Sequence, residues 1–192
     1  MDRITTSFWA LVCLLVGTAV FYGAGAEAQR RSLQKASARI ESGALVRLAT
    51  VVDGGTIIVA NEQGDRTTVS ILGIRSVAGR AQRDALATWG EAAEESIERL
   101  AAGKPVRVML HSVPRDRQGR TLATLFVGDE DLGLRLVTDG LALVYPVHPF
   151  ASLPLYLREQ DAAKSGRRGL WSHPDAERRA QILALEWQKQ AP

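Results

Sequence analysis

Leu45 to Ile74 reads LVRLATVVDGGTIIVANEQGDRTTVSILGI, and its punctuation decides the fold. Three short runs, LVRLATVV, GTIIVAN and TTVSILGI, are separated by Asp53-Gly54-Gly55 and by Gln63-Gly64-Asp65. Val, Ile and Thr suit a pleated, half-buried surface, whereas Gly, Asn and Asp supply the tight backbone of turns. The stretch predicts three antiparallel strands in a meander. Towards the C-terminus, Trp89 to Ala102 (WGEAAEESIERLAA) puts Ala92, Ile97 and Leu100 to one side, carries acids in its first turns and ends at Gly103, which predicts a helix. Glu91, Glu94, Glu95 and Glu98 are then its solvated face.

Pro105–His111 and Thr121–Val127 predict two further strands joined by a polar loop, Ser112–Arg120. Asp131–Gly140 predicts a short helix and Leu153–Gly166 another. Ser172-His173-Pro174 then resets the chain, and Asp175–Gln190 carries Ala176, Ala180, Leu183 and Trp187 at helical spacing, a face to pack on the barrel or on a partner. Five strands with a helix after the third follow the order of an OB-like barrel. The expected fold class is α+β, mainly β: a five-stranded OB-like barrel with three helices, an N-terminal membrane-directed helix and an extra C-terminal helix.

The first residues are of another kind. Phe8 to Tyr22 (FWALVCLLVGTAVFY) carries no charge and is extended by small residues to Ala26, and Ala26-Glu27-Ala28 has the Ala-x-Ala form of a signal-peptidase site. Its length lies between a cleaved signal and a spanning helix, so residues 1–28 are expected to be a signal peptide or a membrane anchor. Residues 29–43 form a polar, basic spacer, residues 44–171 the barrel domain and residues 172–192 the C-terminal amphipathic helix. The expected location is periplasmic or extracellular, with anchorage to the inner membrane through residues 8–26 if they are not removed.

Composition narrows the chemistry. With 46% hydrophobic and 23% charged residues, 192 residues support one domain with a real core rather than a disordered chain. The single cysteine, Cys13, lies in the apolar run, so neither a disulfide nor a thiolate nucleophile is available after Ala28. The net charge of +3 is mild and permits polyanion binding without requiring it. His111, His148 and His173 fall on a strand end and in loops, with no evident partner, and read as surface residues rather than catalysts.

Six segments in order carry a family resemblance. They are Thr50-Val51-Val52-Asp53-Gly54-Gly55-Thr56, Val69 to Ile74, Trp89-Gly90-Glu91-Ala92, Asp116-Arg117-Gln118-Gly119-Arg120-Thr121-Leu122-Ala123, Leu136-Val137-Thr138-Asp139-Gly140-Leu141-Ala142 and Gly169-Leu170-Trp171. Together they resemble the staphylococcal nuclease (thermonuclease) family over roughly Leu45 to Trp171. The resemblance implies calcium held by carboxylates in the first turn and just past the third strand. It also implies arginines on that strand and after the hairpin that clamp phosphate, and a glutamate that helps water attack.

Carried over by position, the first-turn metal aspartate falls on Gly55, the strand arginine on Ser70, the second metal aspartate on Arg75, its neighbouring threonine on Ser76 and the glutamate on Ala78. Arg120 alone of the central groups is retained, with Asp53, Thr56 and Asp116 around it. The expectation is a catalytically degenerate member that is not an enzyme and has no cofactor. Calcium enters only in the alternative of an active nuclease with displaced acids, Asp53, Asp65 and Asp84, of which Asp53 is the nearest thing to a metal ligand. Arg75, Arg80, Arg83, Arg115, Arg117 and Arg120 are expected near one mouth, and Arg75, Arg117, Arg120 and Tyr145 are the candidate binding residues. Tyr145 and Tyr156 offer stacking, as tyrosines near the family's base pocket do, although Gln118 replaces the hairpin tyrosine. The expected function is a non-catalytic interaction module, an accessory or scaffold component of a protein or membrane complex. An anion or nucleic-acid binder working through the arginines is the alternative.

Overall fold

A computed structural model describes residues 40–77 and 86–189. Residues 8–26, Cys13 and Ala28 fall outside these residues, and none of the described helices is long and apolar enough to cross a membrane.

The three runs that open the domain are β1 (Leu45–Asp53), β2 (Thr56–Ala60) and β3 (Arg66–Ile71), a meander as the turn residues predict. A two-residue strand, β4 (Ile74–Arg75), precedes helix α1 (Ala87–Ala101). Then come β5 (Val106–Arg115), β6 (Thr121–Val127), the short β7 (Glu130–Asp131), helix α2 (Leu132–Thr138) and β8 (Leu143–Val144). Helix α3 (Leu153–Ser165), a 3-10 turn (Gly169–Ser172) and helix α4 (Ala176–Gln188) end the described chain.

Closure comes from two pairings. β3 runs parallel to β6, with Ser70 opposite Leu122, and β1 meets β5 antiparallel at Leu45 and Val46, so β1, β2, β3, β6 and β5 form a ring. This is the OB-like barrel expected, α+β and mainly β. Alternate residues of β2 and β3 point inward, and Ile57, Val59, Val69 and Ile71 are buried beside Ile97 of α1 and Leu132 and Leu136 of α2. Burying each such side chain stabilises by about 1.5–3 kcal/mol, so the core needs neither a disulfide nor a metal.

Three details differ from the sequence reading. Helix α1 begins at Ala87, so its acids lie beyond the first turn, and Ala93 rather than Ala92 is on the buried face. Ser112–Arg115, read as loop, continues β5; pairing with β6 skips from Leu110 to Arg115 and resumes beside the hairpin, a bulge that polar composition conceals. Contacts of the domain also begin before residue 44. Ile40 packs on the core, Ser42 Oγ accepts the Leu110 N–H, and the Gly43 N–H donates to the Val108 carbonyl.

A smaller apolar cluster sits outside the barrel. Val77, Leu86, Leu143, Leu170 and Ala176 are its buried members, and Trp89, Trp171, Ala180, Leu183 and Trp187 close over them. The stripe of α4 read from helical spacing is the face that docks here.

Candidate functional site

The rim site starts at the β1–β2 turn. Gly54 is required by packing, because a Cβ there would lie 2.7 Å from Ala93 Cβ. Gly55 is not: its Cβ would sit at ordinary contact distance, 3.6 Å from both Arg75 Cα and Ser76 N. A side chain at 55 would fit and would face residues 75 and 76, so the fold does not force its absence. Instead the Gly55 N–H donates to Asp53 Oδ1 at 2.8 Å, which commits that carboxylate oxygen to the turn.

Across the sheet, Thr56 stands opposite Ser70, and both are almost fully buried. Each takes a guanidinium. Arg75 Nη1 donates to Ser70 Oγ at 3.0 Å, and Arg120 Nη1 donates to Thr56 Oγ1 at 3.0 Å. Arg75 reaches back because Gly73, at φ +80°, turns the chain between β3 and β4; a side chain there would also strike Phe150. Arg120 is fixed by the hairpin that precedes it. Asp116 Oδ1 accepts the Gln118 and Arg120 N–H groups, and Asp116 Oδ2 takes Arg120 Nε at 2.6 Å. Arg115 Nη1 donates to the Gly119 carbonyl, and Arg120 Nη2 also donates to Gln118 Oε1, the residue in place of the hairpin tyrosine.

Aromatic groups complete the rim. The Arg75 guanidinium lies over the Tyr145 ring, 4.5 Å from its centroid, and Tyr145 is buried. Trp187 of α4 meets the same ring at 5.1 Å and 90°, and His148 does so at 6.1 Å. The histidines do have partners, which corrects the sequence reading. His111 Nδ1 accepts the Val113 N–H and Nε2 reaches the Pro149 carbonyl at 2.9 Å, so Nε2 carries the proton. His111 and His148 rings lie 6.3 Å apart. Burial holds the His148 pKa below 6.5; His111, Arg75 and Arg117 push the same way, and Asp116 opposes them. His173 lies elsewhere, its Nδ1 accepting the Asp175 N–H.

Of the family-equivalent positions, Gly55, Ser70, Arg75, Ser76 and Arg120 therefore converge on one rim, with Asp53, Thr56 and Asp116. Arg117, on the same hairpin, is near enough to act on His148. Ala78, Arg80, Arg83 and Asp84 lie outside the described residues. Tyr156 is not a rim residue: it is fully buried and donates to Asp131 Oδ1, the cap of α2. Trp187 had no place in the sequence-based site, since helical spacing shows which face is apolar but not which ring it meets.

These residues do not fit calcium. A hard divalent ion needs six to eight oxygen ligands. Position 55 offers no side-chain oxygen, Asp53 shares its carboxylate with the turn, and position 75 brings a guanidinium. At a few ångströms, such a cation repels a divalent ion by on the order of several kcal/mol even at high effective dielectric. Among the described residues, no three His, Cys, Asp or Glu side chains gather as metal ligands.

Comparison with known proteins gives the context. The family model described as staphylococcal nuclease homologue matches residues 68–173. The thermonuclease of Staphylococcus intermedius is 30% identical over 92 residues, 48% of this chain and 54% of that protein, so the match spans about half of its length. The thermonuclease of Staphylococcus hyicus is 25% identical over 128 residues, 66% of this chain and 75% of that protein. An uncharacterized endonuclease of Haemophilus influenzae is 27% identical over 137 residues, 69% of this chain and 72% of that protein.

Proposed function

The chain belongs to the staphylococcal nuclease homologue family, and from that premise we propose that it binds without cleaving: an interaction module, exported or anchored through residues 8–26, that serves as an accessory or scaffold component of a protein complex. One observation carries the loss of chemistry. Gly55 and Arg75 face each other on the rim where the resemblance implies two metal carboxylates, and Arg75 is occupied with Ser70 and Tyr145. With no carboxylate pair to hold a metal, no metal-activated water follows, and of the two phosphate-clamping arginines that the resemblance implies only Arg120 remains.

Export rests on the sequence of residues 1–28 alone, and a protein partner on the loss of cleavage together with that address. The test has two arms. Hydrolysis of DNA and RNA is followed with calcium and with chelator, and the full-length protein is recovered from membranes at high salt. The expected result is no calcium-dependent hydrolysis and a co-purifying assembly. Calcium-dependent hydrolysis overturns the first half, and recovery of the chain alone overturns the second.

A second reading, binding of an anion or nucleic acid, is favoured by the Arg75–Tyr145 stack beside Arg117 and Arg120, a cation and an aromatic plane together. Steep loss of oligonucleotide binding with salt supports it. An active nuclease built from displaced acids is disfavoured by the topology. Asp53 and Asp65 lie at opposite ends of β2, at least about 13 Å apart at strand rise, and Asp65 is engaged with Asn61 in the far turn.

A further inference from the structure

We propose that helix α4 is a releasable cover on the rim, and that Trp187 holds the place a base of single-stranded nucleic acid takes when the helix lifts; the ligand class rests on the second reading above. A planar aromatic ring already occupies the position. Trp187 meets Tyr145 edge to face at 5.1 Å, while Arg75 lies over Tyr145 and donates to Ser70. Removing the indole leaves an aromatic ring with a guanidinium on it and a second guanidinium, Arg120, bound one cross-strand pair away at Thr56. A stacking plane beside cations is what a single strand engages without regard to sequence.

The anchorage of α4 suits release. Among its described residues Ala176 alone is fully buried, whereas α1 buries Gly90, Ala93, Ser96, Ile97 and Ala101. Ala180, Leu183 and Trp187 are half-buried, and the outward face shows Ile182 and Leu185. Asp175 makes no side-chain cap. Lys164 with Glu177 and Arg178 with Asp175 tie α4 through ion pairs between exposed groups, each of which contributes little. A helix of this length is marginal when undocked, so undocking and melting of α4 go together.

Three measurements on the full-length protein test the proposal. In native-state hydrogen exchange, α4 amides are expected to exchange at least about tenfold faster than those of β2 and β6. Nitration of Tyr145 by tetranitromethane, located by mass spectrometry, is expected to rise in Trp187→Ala and to stay at the parent level in Trp187→Phe, which keeps a ring in place. Binding of an oligo-thymidine strand, read by anisotropy, is expected to tighten at least about fivefold in Trp187→Ala, the low end of one stacked base. That gain is expected to disappear when Arg75→Ala is added.

The exchange measurement needs no variant and decides release even if Trp187→Ala folds poorly: α4 amides exchanging only with the barrel overturn the proposal. So does unchanged nitration in a folded Trp187→Ala protein. Raised nitration without tighter binding overturns the place of the base under Trp187 and leaves the cover supported, whereas the second reading itself falls only if the parent shows no salt-dependent oligonucleotide binding.

Discussion

At the scale of single residues, position 55 separates folding from chemistry. Its neighbour Gly54 cannot carry a Cβ, but Gly55 can, so Gly55→Asp is expected to fold with a melting temperature within about 3 °C of the parent. The new carboxylate would face Arg75, and calcium-stimulated cleavage is not expected from this variant, because Ser70 still stands where the resemblance implies an arginine and Arg75 where it implies an acid; a cleavage assay with chelator control checks this. Asp116 is the opposite case. It accepts two backbone N–H groups and the Arg120 guanidinium in a nearly buried position. Asp116→Ala is expected to cost about 2–3 kcal/mol, read as a lower urea midpoint at unchanged slope, because the hairpin donors and a cation lose their acceptor. Gly55, Ser70, Asp116 and Arg120 were legible from the six segments, and Arg75 and Ser76 from carrying the resemblance just past the second of them. The occupation of Arg75 by Ser70 and Tyr145 was not, since segment matching aligns positions and says nothing of where a long side chain lies.

Elements carry the pH dependence and most of what the sequence concealed. The β8–α3 loop holds His148 against His111 on β5, with Arg75, Arg117 and Asp116 as the charged groups that act on it. Its folded pKa is held below 6.5, chiefly by burial, so the unfolded chain binds the proton first as pH falls. The contribution to stability is present above about pH 6.5 and is lost as pH falls through the folded value. The fall in melting temperature between pH 7.5 and 5 is expected to be smaller in His148→Gln than in the parent, and an equal fall in both would remove His148 from the explanation. In α3, Tyr156→Phe is expected to cost about 1–2 kcal/mol in urea unfolding, since the Tyr156 hydroxyl supplies Asp131, the cap of α2, with a buried donor. Strand identities were readable because Val, Ile and Thr alternate between clear turns. The β5 extension was not, because a bulged, exposed strand has the composition of a loop. The partner of α4 was half readable: the stripe predicted docking, while Tyr145 and the tryptophan-rich second cluster required the fold.

At the largest scale, the described residues close five strands into an OB-like ring, and Arg75 stands where the resemblance implies an acid. The ring depends on residues before the first strand as well as within it. Removal of everything before Ile40 is expected to leave cooperative melting intact, whereas removal to Leu45 takes away Ile40, the Ser42 acceptor and the Gly43 donor, and is expected to lower stability by about 1–3 kcal/mol in urea. The most direct measurement of the central claim is a calorimetric titration of the full-length protein with calcium at low ionic strength. No saturable heat is expected below millimolar calcium, because position 55 lacks a side-chain oxygen and position 75 repels the ion. A saturable one-site isotherm that disappears in Asp53→Asn would contradict it.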